Sequence, residues 1–326
     1  MPTSLETLNK IAAQIMVQPH TNVSLKKDFC TKWSTDDISK DECSDFLKQG
    51  IETLSNLQDK LYAQKRRSVL IILQAMDAAG KDSTIKHVMS GVNPQGCQVT
   101  SFKTPSVEEL SHDYLWRCVK ALPASGNIGI FNRSYYEEVL VTRVHPEFLA
   151  LQNLPPELVG KDLWLRRFKE INNFEEYLTQ NGTTVIKFFL NVSKDEQRKR
   201  FLKRIDLSEK NWKFSANDAK ERLHWDEYIK AYEDCLSNTS TKCAPWYVVP
   251  ADNKPFMRLM VGHIICSQFQ QINPQYPKLN KEQRDDLQAA AILLNEESDG
   301  AVMGKADKKP EPVQSEKNKA ERDKKE

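Results

Sequence analysis

A chain of 326 residues, 39% of them apolar, can bury one large core or two smaller ones. Its 47 basic and 45 acidic residues cancel to a net +2, which argues against a global field for nucleic acid or membrane; an anionic substrate has to be met by a local cluster of base. Seven scattered cysteines, odd in number and without a C-x-x-C pair, argue against a disulfide framework or zinc site and predict reduced thiols in a cytoplasm.

Residues 1–40 are polar and irregular apart from an amphipathic piece over 5–16. They predict an arm that packs on the surface or on a partner subunit, and they carry no basic-then-apolar leader. No apolar stretch approaches the about 20 residues of a membrane span, so a soluble cytoplasmic protein is expected. Phe46, Leu47, Ile51, Leu54, Leu57, Leu61 and Tyr62 recur at helical spacing over 44–64.

Val69, Leu70, Ile71, Ile72 and Leu73 then form a run that suits a strand buried on both faces. A turn follows through Ala75, Met76, Asp77, Ala78, Ala79, Gly80 and Lys81, and a helix starts near Asp82. Strand, small-residue turn with Gly-Lys, and helix start read as a phosphate-binding loop. Backbone N–H groups curl around phosphate oxygens, and the helix N-terminus adds partial positive charge. Lys81 supplies a full charge, and Ser83 or Thr84 is placed to reach magnesium. The usual pattern has Gly at the position of Ala75 and Ser or Thr at that of Asp82. A plain strand–turn–helix corner, with Gly80 merely permitting positive φ, is the alternative.

Further strands are expected at 97–103, 128–133, 183–190 and 246–251, with helices at 105–122, from Ser134, 161–180, 194–205, 216–236 and 256–270. Alternation of this kind implies a mainly parallel sheet between helices. In such sheets ligands bind beyond the carboxyl ends of the strands. There the first strand delivers Asp77 and Lys81, the second Lys103, and the third Asn132, Arg133 and Ser134 with Glu137 a turn later. A carboxylate at that rim can hold magnesium, and Arg133 can neutralise a transferring phosphoryl group. Over 194–205, Arg198, Arg200 and Arg204 belong to a basic segment that reads as a mobile lid, or else as a dipole-matched helix. From about Asn295 the chain turns charged and predicts a disordered tail.

Six blocks carry a resemblance: LQAMDAAGKDSTIKHVMSGVNPQG (73–96), SFKTPS (101–106), SHDYLWR (111–117), IGIFNRSYYEEVLVTRVHPE (128–147), NWKFSANDAKERLHWDEYIKAYE (211–233) and APWYVVPADNK (244–254). In this order and spacing, over roughly residues 20–275, the chain resembles the polyphosphate kinase 2 family. The resemblance implies a P-loop kinase fold like that of thymidylate kinase: a five-stranded mainly parallel sheet between helices, with a helical lid. It implies an arm over 1–66, a core over 67–275 with the lid at about 194–225, and a C-terminal helix and tail over 276–326. It also implies phosphoryl transfer between inorganic polyphosphate and nucleoside mono- and diphosphates, AMP or ADP to ATP and GMP or GDP to GTP, with Mg2+ or Mn2+.

Carried over, Asp77, Lys81, Arg133 and Glu137 are catalytic, Asp77 and Glu137 also holding the metal. Ala78, Ala79, Gly80, Asp82, Ser83, Thr84, Lys103, Asp113, Arg117, Asn132, Arg198, Arg200 and Arg204 bind phosphate or nucleotide. Asn132 followed by Glu137 resembles the branch acting on both mono- and diphosphates. A homodimer or homotetramer is expected, with no nucleic acid or membrane partner. The rival readings are an ATP-dependent nucleoside monophosphate or small-molecule kinase and a non-catalytic polyphosphate- or nucleotide-binding protein.

Overall fold

The protein is seen as a computed structural model that describes residues 4–33, 38–212 and 215–306, without the side chains of Ser4, Lys40, Lys210, Ala216 and 297–306. Its elements run α1 (Ser4–Gln14), α2 (Lys40–Gln64), β1 (Ser68–Ala75), α3 (Lys81–Val88), β2 (Cys97–Ser101), α4 (Val107–Leu110), α5 (Trp116–Lys120) and β3 (Ile128–Asn132). They continue through α6 (Glu137–Val144), α7 (Leu163–Gln180), β4 (Thr183–Asn191), α8 (Lys194–Asp206), α9 (Ala216–Glu221), α10 (Trp225–Thr239), β5 (Trp246–Pro250), α11 (Lys254–Ile272) and α12 (Lys281–Ala306).

The strands lie in the order β2-β3-β1-β4-β5, and all four neighbouring pairs are parallel. This is the P-loop kinase fold. β1 is the middle strand and is buried at every position, as its unbroken apolar run requires. Because β3 and β4 flank it, the crevice where the winding reverses opens at the carboxyl end of β1. α11 packs on α2 and α3, while α6, α7 and α10 pack on one another.

α2 begins in a reciprocal capping box between Ser39 and Glu42. The arm packs on its own core: Leu8, Ile11, Ile15 and Val17 are buried. Val17 N–H donates to Trp246 O at 2.8 Å and Val248 N–H to Ile15 O at 2.7 Å, which covers the edge of β5.

One charged pair sits in this core. Lys187 on β4 and Glu175 on α7 are both fully buried, with Nζ 2.6 Å from Oε2. Nζ also donates to Tyr136 Oη and Thr239 O, while Tyr135 and Tyr136 hydroxyls donate to Glu175 Oε1. The network fixes the segment between β3 and α6, and every donor in it has an acceptor.

Several expectations are corrected. The helix expected over 105–122 is two short ones, because Asp113 Oδ1 accepts the Leu115 N–H and forms a turn between them. The long helix over 216–236 is broken by a tight turn at Arg222–His224. The helix expected from Ser134 starts instead at Glu137, and ahead of it the Ser134 hydroxyl accepts from Tyr136 N–H. The chain divides into compact units 1–276 and 277–326. In the second, α12 runs helical through Ala306, past the expected onset of disorder, and 307–326 lie outside the described residues, as do Lys213 and Phe214. Among the described residues no helix is long and apolar enough to cross a membrane.

Candidate active site

The loop from β1 to α3 is held by its carbonyls. Lys81 opens α3, and its Nζ reaches back to Ala75 O at 2.9 Å. On the other side α8 grips three successive carbonyls: Gln197 Nε2 donates to Asp77 O at 2.9 Å, and Arg200 donates to Ala78 O at 3.2 Å and Ala79 O at 2.6 Å. A trans peptide points its N–H opposite its C=O, so this grip aims the N–H groups of Ala78, Ala79 and Gly80 away from α8. Ala79 N–H is spent on Met76 O, and those of Ala78 and Gly80 have no partner among the described residues. Ala78 (φ 59°) and Gly80 (φ 114°) are both left-handed, a strained choice for the alanine that the fixed carbonyls enforce. The result is an anion-binding concavity at a helix N-terminus.

Arg133, the residue after β3, is left-handed too (φ 64°) while its N–H extends the ladder to Leu73 O at 3.0 Å. That backbone turns its side chain over the loop. Its guanidinium lies 2.7 Å from Asp77 Oδ1 and 3.3 Å from Glu137 Oε2, and Gln74 Nε2 holds Glu137 Oε1 at 3.1 Å. Glu137 foremost, then Asp77, raise the Arg133 pKa against the opposing effect of burial. Lys81 is buried, and desolvation, helped by the charge of Arg133, lowers its pKa to about 8 although Asp77, Glu137 and Asp82 oppose it.

Two clefts meet at Arg133. A narrow polar one is lined by Asp77, Arg133, Glu137, Gln197, Asp218 and Arg222, among others. The wider one is lined by Phe102, Lys103, Leu110, Tyr114 and Phe148 along with Arg117, and it too has Arg133 and Glu137 in its wall. Aromatic and aliphatic faces with cations at one end suit a nucleoside carrying phosphates.

The structure therefore brings together Asp77, Lys81, Arg133 and Glu137, with the Ala78–Gly80 backbone beside them. Asn132 and Asp82 pair with each other, Asn132 Nδ2 to Asp82 Oδ1 at 2.8 Å. Lys103 and Arg117 lie in the wide cleft, Arg117 tied to Lys103 O at 2.8 Å. Asp113 sits in the turn before α5. Arg198 is exposed on α8, and Arg204 pairs with Asp218 at 3.7 Å.

Ser83 and Thr84 hydroxyls both donate to Gly80 O at 3.0 Å, the local bond that hydroxyls make in a first helical turn. One expectation fails. Arg200 does not hang over the cleft: only 8% exposed, it spends its donors on Ala78, Ala79, Ala251 and Asp252 carbonyls and on Glu196. It is a brace behind the loop.

Gln197, Asp218 and Arg222 were not expected at the site. An uncharged residue inside a charged run gives no sequence signal. Burial, followed by the charge of Asp77, raises the Asp218 pKa.

A metal has a partial donor set. Among the described residues both Glu137 oxygens are engaged, Asp77 Oδ2 accepts no hydrogen bond, and no group of three metal-binding side chains gathers. That fits a hard cation which takes most of its ligands from substrate phosphates and water.

Comparison with known proteins agrees with this geometry. The sequence profile described as polyphosphate kinase 2 matches residues 37–277. An ADP-polyphosphate phosphotransferase of Rhodopseudomonas palustris is 54% identical over 250 residues, 76% of this chain and 86% of that one. An AMP/ADP-polyphosphate phosphotransferase of Meiothermus ruber is 43% identical over 262 residues, 80% of this chain and 94% of that one. The crystal structure of polyphosphate kinase 2 from Arthrobacter aurescens superposes with a TM-score of 0.75 at 36% identity, covering 85% of this chain and 98% of that one.

Proposed function

The chain belongs to the polyphosphate kinase 2 family, a phosphotransferase acting between inorganic polyphosphate and nucleotides, and from that premise we propose how its own residues divide the work. The observation that carries the reading is the position of Arg133, which holds the loop residue Asp77 and also lines the wide cleft. We place the phosphate chain on the amides of Ala78 and Gly80 beside Lys81, and the acceptor nucleotide in the wide cleft with its phosphates towards Lys103, Arg117 and Arg133.

A terminal phosphate oxygen of the nucleotide attacks the terminal phosphorus of the chain. The new O–P bond forms as the bond to the penultimate phosphate breaks, and the leaving group is a chain one unit shorter. The attacking oxygen carries no proton at neutral pH, so no general base is needed. Asp77 and Glu137 instead orient Arg133, whose charge meets the equatorial oxygens of the transferring group. Positioning and neutralisation supply the catalysis.

A divalent cation, Mg2+ in this reading, supplies further charge when held by Asp77 and the phosphates. Asn132 with Glu137 supports both mono- and diphosphate acceptors, AMP and ADP together with GMP and GDP, and the cytoplasm and a homo-oligomer remain part of the reading. ATP formed from ADP and polyphosphate, with no other phosphoryl donor present, is the decisive assay. Comparing initial rates on AMP, ADP, GMP and GDP ranks the acceptors. Tight polyphosphate binding without turnover in magnesium rejects the reading.

A further inference from the structure

We propose that Gln197 is a positioning residue that couples the segment over 216–224 to the phosphate loop, so that docking of Arg222 sets the direction of the loop amides. This rests on the proposed function and names a device within that site. Gln197 is 2% exposed and uses both ends of its amide. Its Nε2 donates to Asp77 O at 2.9 Å, and its Oε1 accepts from Arg222 at 2.5 Å. Arg222 also donates to Lys194 O at 3.0 Å, which fixes it to the first turn of α8.

The relay has a direction. An amide has a donor end and an acceptor end, and a guanidinium can only donate. Arg222 therefore forces Gln197 to present Oε1 outward and Nε2 inward, where Asp77 O needs a donor. Remove Arg222 and Oε1 loses its donor, so the bond to Asp77 O alone is left to hold the amide in place. The Asp77 carbonyl shares its peptide plane with the Ala78 N–H, one of the two unpartnered loop amides. Its carboxylate is the one that holds Arg133. The tight turn at Arg222–His224, where a continuous helix was expected, delivers Arg222 to this spot.

Gln197 touches no substrate in this account, so its loss should be felt by one substrate and not the other. Gln197→Glu keeps the acceptor for Arg222 and removes the donor to Asp77 O. The polyphosphate KM is expected to rise about tenfold, the worth of one such hydrogen bond, while the ADP KM stays within about twofold. Arg222→Gln, on a partly exposed residue, is expected to shift the same KM in the same direction. The double variant is expected to be no worse than Gln197→Glu alone, since both act through one bond.

An equal rise in both KM values, no rise in either, or additive effects in the double variant overturn the proposal. Should Gln197→Glu fail to fold, Arg222→Gln decides by the same split. Wild-type ATP formation with no split sinks this inference and leaves the proposed function standing. Without wild-type turnover, calorimetric titration of wild type and Gln197→Glu with polyphosphate and with ADP reads the same selectivity. A wild type that binds no polyphosphate overturns both.

Discussion

Asp77 and Arg133 stand 56 positions apart in the chain and meet at 2.7 Å. Asp77 lies two residues beyond the end of β1 and Arg133 one beyond the end of β3, and the parallel register of the two strands brings both to the same rim. Asp77→Asn keeps the shape but removes the charge that orients the guanidinium. Turnover is expected to fall on the order of 10²–10³-fold, as when one preorganised charge is lost. Thermal melting should stay near that of wild type; near-wild-type rates reject the assigned role.

Lys81 makes the protein sensitive to mild alkali. Its pKa falls from 10.5 in the unfolded chain to about 8 in the fold, through burial. Below pH 8 both states hold the proton and the full penalty of burying it applies. Between about 8 and 10.5 the unfolded chain holds more protons, so this lysine makes stability rise with pH. Polyphosphate binding has the opposite sign, because the anion needs the charged form: affinity falls above pH 8, with proton uptake on binding. Titrations in buffers of different ionisation heat check this, and Lys81→Met should abolish both trends.

Arg198 and Arg200, two positions apart on α8, should behave differently. Arg200→Met strands four carbonyls, those of Ala79 and Ala251 buried and those of Ala78 and Asp252 partly so, and urea denaturation should show a loss of about 3 kcal/mol together with loss of turnover. Arg198→Ala, on an exposed side chain, is expected to stay within about 0.5 kcal/mol of wild type. Equal destabilisation by the two contradicts the brace.

Lys187→Met leaves Glu175 buried without its cation. A destabilisation of about 3–5 kcal/mol is expected from chemical denaturation. The double variant with Glu175→Gln should recover most of it, because Gln still accepts from both tyrosines through its oxygen. No recovery contradicts a charge-based account of the pair.

Chelation of divalent cations is expected to stop transfer while leaving the fold unchanged by circular dichroism, with recovery on adding excess Mg2+. Undiminished rates in chelator dismiss a metal at Asp77.

Much of this was legible in the sequence because each signal was local. The run over 69–73 suits an interior strand, and the small-residue turn with Gly80-Lys81 that follows reads as a turn into a helix. Asp77, Lys81, Arg133 and Glu137 followed, being placed by strand ends. What escaped depends on partners far along the chain. Nothing near Arg200 says that it turns inward, since its acceptors lie at 78–79 and 251–252. Nothing near Lys187 says that it turns into the core, since Glu175 and the two tyrosines that close around it lie on other elements. Helices at 105–122 and 216–236 failed where one side chain, Asp113, or one tertiary contact, Arg222, outweighed periodicity.

Arg133 and Glu137 stand in the walls of both clefts, and in the proposed reaction only the last phosphate of the polymer crosses between them. Catalysis here would keep pace with how many chain ends are in solution, whatever the mass of phosphate behind them. The same weight of polymer, cut shorter, would then feed the enzyme faster.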